Sequence, residues 1–396
     1  MRISTAQMFN QSITSVLDKQ SSTSKILDQL SSGKKVNTAG DDPVAALGID
    51  NLNQKNALVN QFLKNIDYAT GRLANSESHL GNAETLVGSV REQVMRAVNG
   101  SLTDNDRQMV ADEMKASLEE LLAIANTKDE SGNYLFSGFS TDTMPFAFDA
   151  AGQIVYGGDN GSRETVVASG VTLATNVPGD TAFMNAANGM GDYSVNYLPS
   201  QVGGFKVDSA KIVNPALHIP DTYSFTMVGA DLEVRDSSNV LVTTEVGFDP
   251  VNPVSFNGIE VKLDGLPVAG DSFSITEQPT VSIFDTISSA ISLIEDPNRT
   301  NTPEGMAQLA QILNNVDSGI KQISSARGMA GNNLKSVESY SSTHDDEKLI
   351  NSSALSMLED LDYASAITEF EKQQLALNAV SSVFSKVGST SLFDYI

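Results

Sequence analysis

The chain has 396 residues, 40% of them hydrophobic and 19% charged, with a formal net charge of -24 and no cysteine. That composition suits a folding chain of two or three domains and excludes wholesale disorder. It also excludes the Lys/Arg footprint of a nucleic-acid binder, and disulfides, thiolate metal sites and thiol nucleophiles.

No run approaches the roughly 18 apolar residues that a membrane helix requires, so no membrane partner is expected. The opening "MRISTAQMFNQSITSVLDKQ" lacks the apolar core of a signal peptide. In this first arm Ile13, Val16, Gln20, Thr23, Leu27 and Leu30 step by three and four, a weak helical seam. A stronger stripe follows at Val59, Phe62, Ile66, Ala69, Leu73, Ser76, Leu80, Ala83, Val87, Val90, Val94 and Ala97, with Asn99-Gly100 as a stop. No proline interrupts 44–99, so this helix could run roughly 80 Å at 1.5 Å per residue. Thr103 with Asp106 reads as a capping box, opening a helix striped by Val110, Met114, Leu118, Leu121 and Ala125. From 141 to 280, β-branched runs cut by glycine and asparagine turns predict an all-β insertion. Helical period returns at Ile283. It continues past Pro303 through Leu309, Ile312, Val316, Ile320, Ile323, Ala330, Leu334 and Val337, with Arg327 interrupting the stripe.

The last helix carries Tyr363, Ala366, Phe370, Gln373, Leu377, Val380, Phe384 and Val387 on one seam. Residues 1–40 hold five basic against two acidic side chains, a net of +3, and residues 352–396 hold two against six, a net of -4. Two weak, oppositely charged arms are best stabilised by packing on each other. The expected fold is mainly α with a β insertion, an elongated multidomain rod. Residues 1–43 with 352–396 form a terminal coiled coil, 44–140 with 281–351 a long helical bundle, and 141–280 a distal all-β domain.

No catalytic constellation emerges. His79, His218 and His344 stand far apart, and His344 before Asp345-Asp346-Glu347 reads as a solvated helix face rather than a metal site. "GGDNGS" at 157–162 lacks the ending of a phosphate loop and reads as a tight turn. "DESGN" at 129–133 lacks the alternating ligands of a calcium loop. Asp41-Asp42 before Pro43 reads as a helix start serving the N-terminal dipole. We therefore expect no enzyme, no metal and no cofactor. The arms, in contrast, have apolar residues left over after pairing. Ile3, Met8, Phe9, Ile13, Val16, Leu27, Leu30, Phe370, Leu377, Val380, Phe384, Val387, Leu392, Phe393, Tyr395 and Ile396 form the expected assembly interface with neighbouring copies.

"LSSGKKVNTAGDDPVAA" (30–46) and "DLDYASAITEFEKQQLALNAVSSVFSKV" (360–387) resemble bacterial flagellins and flagellar hook-associated proteins. "MRISTAQMFNQSI", the stretch 99–146, "SARGMAGNNLKSVES" (325–339) and "SLFDYI" are also similar to this family, and most of them favour its hook–filament junction members. The resemblance implies a flagellin-like fold and export through the flagellar type III apparatus. It implies assembly outside the cell as a ring or short helical zone of identical subunits. Implied partners are hook-associated protein 1 below, flagellin and the filament cap above, and a cytosolic export chaperone on the C-terminal helix. Two alternatives stay open: a filament flagellin, and a flagellin-like protein with a ligand-binding or enzymatic β insertion.

Overall fold

The computed structural model describes residues 5–98 and 102–389, apart from the side chains of 5, 6, 8, 9 and 387–389. Six α-helices frame it: α1 (Thr5–Ser32), α2 (Pro43–Val98), α3 (Asp104–Ala125), α4 (Ile283–Glu295), α5 (Pro303–Glu359) and α6 (Tyr363–Ser389). Between α3 and α4 lie fourteen short strands. They are β1 (Phe146–Phe148), β2 (Ile154–Tyr156), β3 (Glu164–Ala168), β4 (Val171–Ala174), β5 (Ala186–Ala187), β6 (Tyr193–Tyr197) and β7 (Lys206–Ile212), then β8 (Tyr223–Val228), β9 (Asp231–Arg235), β10 (Leu241–Glu245), β11 (Val254–Phe256), β12 (Ile259–Asp264), β13 (Ser272–Glu277) and β14 (Thr280–Val281). The chain forms two compact units, residues 1–64 with 341–396 and residues 65–340.

Local chemistry sets the helix ends. The Asp42 Oδ1 atom accepts from the Val44 and Ala45 amides at 3.0 Å, and Pro43 stands at the first helical position, so "DDP" opens α2. Thr103 and Asp106 make the reciprocal bonds of the expected capping box at α3. Ser282 caps α4 just before Ile283, where helical period returns, and the stretch past Pro303 is a separate helix, α5, that begins at that proline.

The larger unit has two apolar cores. In the first, every α2 stripe position from Ile66 to Ala97 is buried, Ser76 included, against α3, α4 and α5. Sequence stepping puts Arg327 on the α5 stripe, but the buried step belongs to Ala326. Arg327 instead reaches outward to Glu77 and Glu84 at 2.7 and 3.2 Å. The β1–β2 and β3–β4 hairpins also pack on this helical core through Phe146, Ile154 and Val167. Asparagine side chains from both long helices fasten the second hairpin: Asn65 Nδ2 donates to the Val166 carbonyl at 2.8 Å, and Asn333 Nδ2 to the Ala174 carbonyl at 3.3 Å.

The second core belongs to residues 190–275, with Ala307 added from α5. Here a five-stranded antiparallel sheet, ordered β10-β9-β8-β13-β6, and a three-stranded one, β11-β12-β7, enclose Tyr193, Phe225, Phe256 and Phe273. Burial alternates along β6, β8 and β12, the period that places one strand face in the core. Asn257-Gly258, both at positive φ, make the two-residue turn between β11 and β12.

Candidate functional site

The smaller unit carries the residues that the sequence nominates for assembly. Helices α1 and α6 pack along each other in opposite directions: the Leu361 amide donates to the Gly33 carbonyl at 3.0 Å, and Lys19 Nζ reaches Gln373 Oε1 at 3.4 Å. A short antiparallel bridge closes one end. There the Lys35 amide donates to the Glu359 carbonyl at 2.6 Å, and the Lys34 ammonium pairs with the nearly buried Glu359 carboxylate. Lys25 turns instead to Asp41 at 2.8 Å. That ammonium first, and then the Thr38 and Asn37 amides, hold the Asp41 carboxyl down at about 2. Asp41 thereby fastens the 37–42 turn between α1 and α2. The opposite charges of the two arms thus meet across the seam at Lys34–Glu359, while Lys25 is satisfied within its own arm.

The α6 seam follows the expected row. Ala366 is buried, and Phe370, Gln373, Leu377, Val380 and Phe384 are half-buried, whereas Tyr363 is exposed. On α1 the half-buried positions include Ile13, Val16, Lys19, Thr23, Ile26 and Leu30. Ile26 therefore takes the step that counting assigns to Leu27, and Leu27 stands 54% exposed. Ile3, Leu392, Phe393, Tyr395 and Ile396, and the side chains of Met8, Phe9 and Val387, lie outside the described residues. Toward that end the seam opens into a groove of about 350 Å³, lined by Gln11, Ser12, Ser15, Ala379, Val380 and Val383.

The remainder of the unit comes from the start of α2 and the end of α5. The His344 ring stacks on Phe62 at 5.3 Å, with its Nδ1 3.0 Å from Glu347 Oε2. Among the described residues no cluster of three or more His, Asp or Glu is placed to hold a metal. His218 sits in the larger unit, its Nε2 2.7 Å from the Tyr193 hydroxyl, and burial lowers the His79 pKa.

Two observations define the character of this unit. Among its described residues only Val36, Ala45, Val59 and Ala366 are buried apolar side chains. Against them stand Leu17, Leu27, Val44, Leu47, Leu58, Leu349, Ile350, Met357, Tyr363, Ile367, Leu375 and Val383, each about half exposed or more. A helical unit that buries so little and shows so much leaves a large apolar surface uncovered, which makes it the candidate site for contacts with other molecules. Stripe counting overlooks Val44, Leu47, Leu58, Leu349, Ile350 and Met357. The signal that could have found them is apolar residues on more than one face, as in "PVAALGIDNL" and "KLINSSALSML".

Comparison with known proteins gives this surface a context. The bacterial flagellin N-terminal helical region matches residues 3–141. Flagellar hook-associated protein 3 of Salmonella typhimurium is 23% identical over 393 residues, 99% of each chain. A crystal structure of flagellar hook associated protein-3 from Legionella pneumophila superposes with a TM-score of 0.69 at 30% identity, covering 78% of this chain and 98% of that one. This chain belongs to the flagellar hook-associated protein 3 family. A second structure from the same organism, described as the flagellar junction protein FlgL, matches at 29% identity and a TM-score of 0.68, over 79% of this chain and 99% of that one. For a member of this family the exposed apolar helices of the smaller unit are the natural candidates for assembly contacts. No helix among the described residues is long and apolar enough to cross a membrane.

Proposed function

We infer that this chain is a structural component of the bacterial flagellum, placed at the junction of hook and filament. The observation that carries the reading is the imbalance among the described residues of the smaller unit: four buried apolar side chains against twelve large exposed ones. Burying a Leu or Ile contributes roughly 1.5–3 kcal/mol, so neighbouring copies that cover a few of these side chains stabilise the unit strongly. The set Ile3, Met8, Phe9, Ile13, Val16, Leu27, Leu30, Phe370, Leu377, Val380, Phe384, Val387, Leu392, Phe393, Tyr395 and Ile396 supplies the assembly contacts. Val44, Leu47, Leu349 and Ile350 extend them. In this reading residues 1–43 with 352–396 are the assembly domain, 44–140 with 281–351 the bundle, and 141–280 the β domain.

The partners are identical subunits, hook-associated protein 1, flagellin, the filament cap and, before type III export, a cytosolic chaperone. The role is structural and not enzymatic. Full-length similarity to hook-associated protein 3 favours a junction adaptor over a filament flagellin. Electron microscopy of a deletion strain tests the choice. Loss of the adaptor leaves bare hooks and releases flagellin into the medium, whereas loss of a filament subunit leaves no flagellin to release.

A further inference from the structure

We propose that a polar groove of the larger unit, along the hydroxyl-bearing face of α4, binds a neutral oligosaccharide. Two cavities, of about 220 and 540 Å³, meet there and share Asp285, Ser289 and Gln308 as walls. Their size suits a small ligand, for which pockets of about 300–1,000 Å³ are usual. Asp285, Ser288, Ser289 and Ser292 step by three and four. One face of α4 therefore lines the groove with a carboxylate and three hydroxyls, at about 5.4 Å per turn. Helix α5 contributes Gln308, Gln311 and Asn315, and the segments beside β2 and β13 contribute Gln153 and Gln278. Val195, Val281 and Ile312 add an apolar wall.

Most of these polar groups are unspent within the chain. The Asp285 carboxylate and the Ser288, Ser289 and Ser292 hydroxyls have no hydrogen-bond partner among the described residues, whereas Thr286 beside them returns its hydroxyl to the Ser282 carbonyl at 2.8 Å. Gln308 and Asn315 use only their carbonyl oxygens, accepting from Arg299 Nη2 at 3.1 Å and from the Gly189 amide at 2.9 Å. Both amide nitrogens are left to donate. Gln311 Nε2 donates to Ser194 Oγ at 3.1 Å, while its Oε1 is buried with no donor among the described residues. Donors and acceptors side by side answer hydroxyl groups, which are both at once. Arg299, the cation in the lining, is already paired with Glu304 at 2.5 Å, so the groove offers little to a phosphate or sulfate. An organic ammonium would satisfy Asp285 and leave the serines and amides unanswered. Partial burial, and after it the Asp149 charge, push the Asp285 pKa up, so neighbouring hydroxyls that donate to this carboxylate relieve it. The apolar wall suits the C–H face of a sugar ring. The groove belongs to the larger unit, and its use is independent of the assembly contacts.

Saturation-transfer NMR of the full chain with maltotriose, cellotriose and chitotriose tests the site. At least one should bind with a Kd on the order of 1 mM, and glycerol far more weakly. Ser289→Leu, which fills the groove from a solvent-open helix position, should weaken that binding at least about tenfold. Asp285→Asn keeps the shape, removes the charged acceptor, and should weaken it about fivefold; it carries the test if Ser289→Leu does not fold. No binding of any of the three sugars, or equal binding by wild type and both variants, would overturn the proposal. Weaker self-association of Ser289→Leu without sugar binding would assign the groove to a second copy of the chain and overturn it as well.

Discussion

Removing the Phe225 ring separates the two cores of the larger unit. Phe225 is fully buried, stacks on Phe273 at 4.5 Å with 7° between planes, and meets the edge of Phe256 at 5.7 Å. Phe225→Ala therefore loses the transfer free energy of the ring and leaves a cavity, together about 3–5 kcal/mol. The stacked geometry adds about 0.5–1.5 kcal/mol. A loss of 3 kcal/mol raises the opening equilibrium more than about a hundredfold. Amide exchange followed by mass spectrometry on the full chain should show that acceleration across β6 to β13. The buried stretches of α2 and α5 should change by less than about threefold, because their apolar partners lie in the other core. Phe183→Ala should do the reverse. Its ring meets Phe136, Phe146 and Phe284 at 5.5, 5.6 and 5.9 Å, all in the helical core. Equal acceleration of both regions by Phe225→Ala would refute the division, and a change below about 1 kcal/mol would refute the packing argument itself.

Asp159 accepts from the Phe139, Ser140 and Gly161 amides and the Ser140 hydroxyl, bonds that hold its carboxyl down at about 2. Because the folded value is depressed from 3.8, this stabilisation is present above pH 4 and lost as pH falls toward 2. Limited proteolysis should find the 137–163 segment opened at neutral pH in Asp159→Ala, but only below about pH 4 in wild type. Gly33 has a φ of +70°, and an added Cβ would meet the Tyr363 hydroxyl at 2.9 Å. Gly33→Ala should cost about 1–2 kcal/mol, read as a roughly fivefold to thirtyfold higher critical concentration for assembly, and Gly33→Asn should recover part of it. Chains truncated at residue 386 should keep the 65–340 unit folded yet fail to enter the flagellum; restored motility would contradict the role of the C-terminal arm. Leu377→Asp with Phe384→Asp should weaken assembly and chaperone capture, and an unchanged chaperone pull-down removes the second half of that expectation.

Long-range periodicity made the helical part of the fold legible. Along α2 the three-and-four stepping from Ile66 to Ala97 has one register that buries it, and the structure uses that register. Caps were equally readable, because Thr103–Asp106 and Asp42-Pro43 satisfy helix-end amides whatever the tertiary context. Adjacent candidates defeat the same counting. Ile26 and Leu27 both fit the α1 seam, as Ala326 and Arg327 both fit α5, and only the facing helix decides between them. Alternation in short strands shows which side is apolar but not what covers it. It therefore could not tell that β1 to β4 pack on helices while β6 to β13 share a core of their own. The exposed apolar residues of the smaller unit were only partly legible: stripe counting singled out positions in the two arms, but Leu349 and Ile350 looked like ordinary helix until the fold left them 70% and 66% exposed.

Deuterium uptake of α1, α6 and the segment around Leu349, compared between the solitary full chain and the chain built onto isolated hooks, tests the central claim directly. Uptake should be rapid in the solitary molecule, with strong protection once neighbours are in place. Amides already shielded in the solitary chain, with no gain on assembly, would contradict it.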